Sequence, residues 1–307
     1  MRVVLTNSVG VAGIQTTVEA LLAGRSVLDA IELGIQQVEL DPEIHSVGRG
    51  GWPNLLGQVE LDASIMDGRT LRSGAVGALQ GYLHPISVAR CVMERLPHVF
   101  LVGEGAARFA AEWGMDAGEN LTREAREAWE AWQRQHLSPA VLERWPREAL
   151  TPLAGLTADP IKTHGTTTFI VRGEDGHTAC GVSTSGWAWK YPGRLGDSPV
   201  IGAGSYADER YGAAACIGQG ELTIRAGTSR AVVLYMKTGM TVEEAVREAG
   251  RDLDALERDY RGMVTIHAID REGQHFVMTW GGERPEDYCI WMDGLTAPQT
   301  CAASLDH

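Results

Sequence analysis

Helices and strands come in separate blocks along this 307-residue chain, and that order excludes most α/β folds. "RVVLTN" reads as a strand. It is followed by helical patterns over "TTVEALLAG", ended by Gly24, and over "SVLDAIELGIQQVEL", stopped by Asp41 and Pro42. The glycine-rich stretch from His45 breaks any helix, and "VELDASIMDG" then reads as a strand ending in a turn. "PISVARCVMERLPHVFLVGEGAARFAAEWG" reads as helix, strand, Gly-rich turn and helix. "TTTFIVRGEDGHTACGVSTSG" is two strands around a turn, and "YPGRLGDSPVIGAGSYADERYGAAACIGQGELTIRAG" is loop-rich with short strands. Two helices divided at Gly239 follow, the second with Thr241 as N-cap and Glu244 three residues on, and then the hairpin "MVTIHAIDREGQHFVMTW". With so little βαβ alternation, an α+β layered sandwich is expected rather than a Rossmann-type sheet. There is no internal repeat.

The segment from Asn120 to about Asp159 differs in composition. It is rich in Arg, Glu and Trp. Trp129 and Trp132 share a helix face, as befits the inner side of an amphipathic helix. Pro139, Pro146, Pro152 and Pro160 punctuate its end, which is expected to be a linker or exposed loop.

The net charge of −13 argues against nucleic acid or an anionic membrane as partner, because both repel an acidic surface. Apolar content of 44% provides for a buried core. Five cysteines without a C-x-x-C pair fit a reducing compartment. "MRVVLTNSVG" does not read as the apolar segment of a signal peptide, so none is expected, and no run of the given sequence approaches about 18 apolar residues. The expectation is a soluble, cytoplasmic protein.

Common catalytic motifs are missing. "GEGAARFA" lacks the lysine of a phosphate loop and the full G-x-G-x-x-G pattern. The nine histidines form no H-x-x-x-H pair, which disfavours catalytic zinc. No G-x-S-x-G occurs. Three threonines in "KTHGTTTFIV" remain. Threonine suits strands, and all three could simply open one. A threonine hydroxyl becomes a nucleophile when its own α-amine serves as base, which requires the preceding bond to be cut. Gly165–Thr166 follows the proline-punctuated segment, and glycine tolerates the strained backbone such a cut needs.

The stretch "HGTTTFIVRGEDGHTACGVSTSGWAWKYPGRLGDSPVIGAGSYAD" resembles the centre of the N-terminal-nucleophile asparaginase family, which contains the glycosylasparaginases and the plant-type L-asparaginase/isoaspartyl peptidases. The family marks are a nucleophile after H-D-T or G-T, then S-T-x-G, G-R-x-G-D-S-P and G-A-G-x-Y-A. Here they stand as "GT", "STSG", "GRLGDSP" and "GAGSYA". The resemblance extends upstream to "SVGRGGWPNLLGQVELDASIMDG" and "HVFLVGEGA", and downstream to "GQGELTIR" and "VVLYMKTGM". The upstream pattern looks more like the glycosylasparaginases, and "GQGELTIR" more like the isoaspartyl peptidases.

The resemblance implies a four-layered αββα sandwich, one domain spanning 1–307, cleaved by itself between Gly165 and Thr166 into chains 1–165 and 166–307 that pair within a homodimer. It implies Thr166 as nucleophile, Thr184 as its hydrogen-bond partner, and Gly218 as oxyanion donor through its N–H. Arg194 would grip the substrate's α-carboxylate. Asp197, with Gly220 beside it, would hold the α-ammonium. An Arg194–Asp197 salt bridge ordering the Gly-rich turn is the structural alternative. The implied substrate is a small asparagine or β-aspartyl amide, with no metal or organic cofactor. Two activities fit, cleavage of N4-substituted asparagine and isoaspartyl peptidase or L-asparaginase activity. A non-cleaving amino-acid-binding relative is a third possibility.

The chain also departs from the family. Ile217 stands where the family has an oxyanion-hole threonine. Gly165 stands where glycosylasparaginases have aspartate. Thr167 and Thr168 replace an apolar residue and glycine, and neither N-T-W nor H-G-G-A-G occurs near the N-terminus. Trp187 and Trp189 are bulky additions beside Thr184, expected either to pack in the core or to line an enlarged apolar pocket.

Overall fold

The computed structural model describes residues 1–157, 165–257 and 262–306. Its first half runs β1 (Val3–Asn7), α1 (Val11–Leu22), α2 (Val27–Leu40), β2 (Leu61–Asp67), β3 (Ser73–Leu79), α3 (Pro85–Arg95), β4 (Phe100–Val102), α4 (Gly103–Glu112), α5 (Arg123–His136) and α6 (Pro139–Arg144). The second half runs β5 (Thr167–Arg172), β6 (Thr178–Thr184), β7 (Ser205–Asp208), β8 (Gly212–Gly218), α7 (Gly220–Ala226), α8 (Thr228–Lys237), α9 (Val242–Asp254), β9 (Val264–Asp270), β10 (His275–Trp280), β11 (Asp287–Met292), β12 (Gln299–Ala302) and β13 (Ser304–Leu305).

The strands form two sheets. The larger has the order β12-β11-β1-β5-β6-β2-β3-β4, and the smaller β13-β10-β9-β8-β7. Side chains alternate across each strand, so each sheet has two apolar faces to bury. On the larger sheet, Phe169 and Val171 meet Ile14, Val18, Ile31 and Ile35 of α1 and α2. Its other face presents Leu5, Ile170 and Val182 to Ala213, Ala215 and Val277 of the smaller sheet. The far side of the smaller sheet packs Ala214, Cys216 and Ile266 against Val232, Val246 and Leu253 of α8 and α9. This is the expected αββα sandwich. Each fully buried aliphatic side chain contributes about 1.5–3 kcal/mol to it. Thr241 and Glu244 form the expected capping box on α9. Among the described residues, no helix is long and apolar enough to cross a membrane.

Four expectations are corrected. No separate Gly-rich turn precedes α4, which starts directly at Gly103. The amphipathic helix expected around Trp129 and Trp132 is α5, but the Pro-punctuated end expected as a linker or exposed loop instead folds as α6 and a 3-10 turn (Thr151–Thr157) beside an apolar cluster of Leu55, Trp132, Leu137 and Trp189. Trp132 stacks on Trp189 at 5.7 Å between ring centroids, and this contact compensates for the helix's polar composition. The end of the segment, with Pro160, lies outside the described residues. "GELTIRA" is helix α7 rather than loop. β3 and β11–β13 lie outside the elements expected from the sequence.

Candidate active site

The β5–β6 hairpin brings Thr166 and Thr184 together. Thr167 pairs with Ser183, so the residue before β5 falls opposite the last residue of β6. The Thr166 hydroxyl donates to the Thr184 hydroxyl at 3.3 Å. Thr184 Oγ1 also accepts the Gly186 N–H at 2.9 Å and donates to the Gly165 carbonyl at 2.9 Å. A chain of hydroxyls therefore runs from Thr166 back to the carbonyl of the bond just before it. Thr167 and Thr168 are fully buried strand residues, as expected.

Gly165 has φ +148°, and a Cβ there would lie 1.7 Å from the Ser46 Cβ. Glycine alone fits, because L side chains avoid this φ and Ser46 fills the space. Asn7, at the end of β1, clamps the other side of the nucleophile. Its Nδ2 donates to the Thr166 carbonyl at 2.6 Å, and its Oδ1 accepts the Thr168 N–H at 3.1 Å.

Thr166, Thr184, Arg194, Asp197 and Gly218 line one cleft with Gly165, Gly186 and Trp187. It encloses about 10 Å³, room for a single water. Among the described residues, the two tryptophans thus line no enlarged apolar pocket. Trp187 stacks under the Arg194 guanidinium at 4.2 Å, while Trp189 packs in the apolar cluster. Gly220 backs the site, since a Cβ there would stand 2.8 Å from Asp197 Oδ1.

Arg194 does not pair with Asp197. Its Nε and Nη2 donate to the Glu221 carboxylate at 2.8–3.0 Å. Asp197 Oδ2 instead accepts the Thr223 hydroxyl at 2.7 Å. Burial pushes the Asp197 carboxyl up to about 6; the Thr223 bond and the Arg194 charge pull it partly back. A carboxylate that must hold an ammonium has to be ionised. If Asp197 binds the substrate's α-ammonium, KM rises as pH falls through about 6, about tenfold per pH unit below it, while kcat changes less. A pH profile of KM between 5 and 8 checks this. A flat profile removes Asp197 from the binding role.

The sequence reading missed Asn7, Ser46, Glu221 and Thr223. The last two lie within "GQGELTIR", so the downstream motif carried that signal. Ser46 opens the upstream motif "SVGRGGWPNLLGQVELDASIMDG", which carried its signal, and Asn7 comes to the site through tertiary packing alone. Among the described residues, no group of three His, Cys, Asp or Glu side chains converges on a metal position.

The two-sheet sandwich, with a threonine at the head of an inner strand, defines the N-terminal-nucleophile hydrolase class. A sequence profile described as asparaginase matches residues 7–286, and the chain belongs to this family of amide hydrolases. It is 39% identical to an N(4)-(beta-N-acetylglucosaminyl)-L-asparaginase of Elizabethkingia miricola, over 77% of this chain and 65% of that one. The match therefore spans just under two thirds of that relative's length. It is 36% identical to an isoaspartyl peptidase/L-asparaginase of Rattus norvegicus, over 85% of this chain and 72% of the relative. It is 33% identical to a plant-type L-asparaginase of Thermococcus kodakarensis, over 92% and 90%.

Proposed function

We propose that this chain is a threonine-nucleophile amidohydrolase that cuts itself between Gly165 and Thr166 and then hydrolyses side-chain amides of asparagine-like substrates. The observation that carries the reading is the hydroxyl chain from Thr166 through Thr184 to the Gly165 carbonyl. In the intact chain, Thr166 Oγ1 adds to the Gly165 carbonyl carbon, whose oxygen Thr184 polarises. The C–N bond breaks, nitrogen takes the hydroxyl proton, and an ester links Gly165 to Thr166. Water hydrolyses the ester and frees the Thr166 α-amine. The resulting 1–165 and 166–307 chains stay knitted, because β1 pairs with β5 and β2 with β6 across the cut.

In the mature enzyme the α-amine takes the proton as Thr166 Oγ1 attacks the substrate amide. The Gly218 N–H receives the oxyanion, Arg194 the α-carboxylate and Asp197 the α-ammonium. The α-amine passes the proton to the amide nitrogen, the C–N bond breaks, ammonia or the substituted amine leaves, and water hydrolyses the resulting acyl-enzyme to release aspartate.

N4-glycosylated asparagine is the first substrate reading, supported by the upstream motif and the Elizabethkingia relative. Isoaspartyl peptidase or L-asparaginase activity is the second. Ser46 favours it, because it fills the space that a glycosylasparaginase-like aspartate would need at position 165. A denaturing gel with N-terminal sequencing tests the cut, and assays on glycosylated asparagine, a β-aspartyl dipeptide and free asparagine separate the activities. Two bands, one beginning at Thr166, are expected. A single 33.2 kDa band without ammonia release identifies an amino-acid-binding relative instead.

Ile217 lowers the ceiling on rate. Alternation along β8 puts it with Ala213 and Ala215 on the inner face, and it has no hydroxyl to offer. Losing one oxyanion donor costs about 10²–10³ in kcat in other hydrolases. Ile217→Thr is therefore expected to raise kcat by about tenfold or more, read with the best of the three substrates. An unchanged kcat places the oxyanion elsewhere.

A further inference from the structure

The Arg194 guanidinium is held on three sides. Its face lies 4.2 Å from the Trp187 ring. Its Nε–Nη2 edge is taken by Glu221 in a forked pair, with Nε to Oε1 at 3.0 Å and Nη2 to Oε1 and Oε2 at 2.8 and 3.0 Å. Only Nη1 is left over, and among the described residues it makes no hydrogen bond. It points between Gly186 and Gly196, where a Cβ would sit 3.3 and 3.2 Å from it. Both glycines line the cleft with Thr166. The Arg194 side chain is 15% exposed against 37% for Glu221, so the carboxylate sits on the outer side of the cation.

We propose that Glu221 is a positioning residue: by occupying the outer edge of Arg194 it turns the Nη1 edge into the cleft and so selects substrates with a free α-carboxylate. This rests on the reading of Arg194 as the carboxylate grip. An arginine has two usable edges and a long, flexible stem. Without Glu221, the guanidinium is free to turn within its plane, so Nη1 is no longer held toward the cleft and the contact to the incoming carboxylate is weakened. Trp187 fixes the plane of the guanidinium but not its rotation within that plane, which the forked pair sets. An exposed pair between such side chains is weak, but this one is shielded on the arginine side and forked, the geometry in which orientation is best defined.

The experiment compares steady-state kinetics of Glu221→Ala and Glu221→Gln with the parent, on L-asparagine and on its α-carboxamide. All proteins are first confirmed as two chains with unchanged melting temperature. Glu221→Ala is expected to raise KM for L-asparagine about tenfold, the loss of one charge-assisted contact, with kcat within about twofold. KM for the α-carboxamide stays put, so discrimination between the two substrates collapses. Glu221→Gln keeps an Oε1 acceptor for both Nε and Nη2 and restores most of the discrimination; if Glu221→Ala is not processed, a rise of about threefold in KM with this variant carries the result. A KM for L-asparagine that is unchanged, or that falls because Glu221 had competed with the substrate, overturns the proposal. Arg194→Ala separates the two levels. If it raises KM while the Glu221 variants do not, only the role of Glu221 fails. If it too leaves KM unchanged, the carboxylate grip itself is misassigned.

Discussion

Thr166→Ala leaves a single 33.2 kDa chain and no measurable amide hydrolysis. One hydroxyl serves both reactions, so its loss acts twice. In the precursor it is the atom that attacks Gly165, and in the mature enzyme it attacks the substrate. No second hydroxyl can replace it. Thr184 Oγ1 is committed to the Gly165 carbonyl and the Gly186 N–H. Thr167 and Thr168 are fully buried within strand β5. Removing the nucleophile of a comparable acyl-transfer site costs about 10⁶ in kcat. Folding survives, because among the described residues the Thr166 hydroxyl makes one side-chain hydrogen bond, at 3.3 Å, worth about 1 kcal/mol. Thr166→Ser, which keeps the hydroxyl on a less constrained rotor, is cut more slowly but completely. Intact-mass measurement and circular dichroism together check this. A Thr166→Ala protein that still splits into two chains rejects the assignment of the nucleophile.

How much of this site the sequence disclosed depends on how far each contact reaches along the chain. The pairing of Thr166 with Thr184 follows from a hairpin whose turn and β-branched strands are local features, and the residues converge because the register puts Thr167 opposite Ser183. Arg194 and Asp197 are legible through their motif, but their partners are not. The turn could have joined them to each other. Instead helix α7 supplies Glu221 to one and Thr223 to the other. That helix is short, begins at a glycine and has no side-chain cap, so it leaves little trace in local propensity. Asn7 and Ser46 sit 159 and 119 residues from their contacts at Thr166 and Gly165; nothing local announces Asn7, and Ser46 shows only as the first residue of the upstream motif. The Pro-punctuated end of the region after Asn120 departs from its linker reading for the same reason. Its prolines and charges describe a solvated segment, while its burial is decided by Trp189 and Leu55, which belong to other parts of the chain.

Gly165→Ala blocks maturation even though the nucleophile and its relay are intact. The added Cβ would lie 1.7 Å from Ser46 Cβ and 2.0 Å from its Oγ, well inside contact distance. Ser46 cannot move away freely, since its carbonyl accepts the Ser185 N–H at 2.8 Å, next to Thr184. The backbone at 165 must shift instead, and that shift breaks the 2.9 Å bond holding the scissile carbonyl on Thr184. A displacement of about 1 Å at a reacting centre costs about 10²-fold in rate, and an L side chain at positive φ adds about 1–3 kcal/mol of strain. The precursor half-life, followed on a gel after synthesis, is expected to lengthen at least about a hundredfold. Two causes act here, and a second substitution separates them. Ser46→Gly removes the clash but not the φ strain, so the double variant recovers part of the lost rate, while Ser46→Gly alone is cut normally. If Gly165→Ala matures at the parental rate, the strained glycine is not part of the cleavage chemistry. If Ser46→Gly restores nothing, the block lies in the backbone conformation alone and Ser46 does not select glycine at the scissile position.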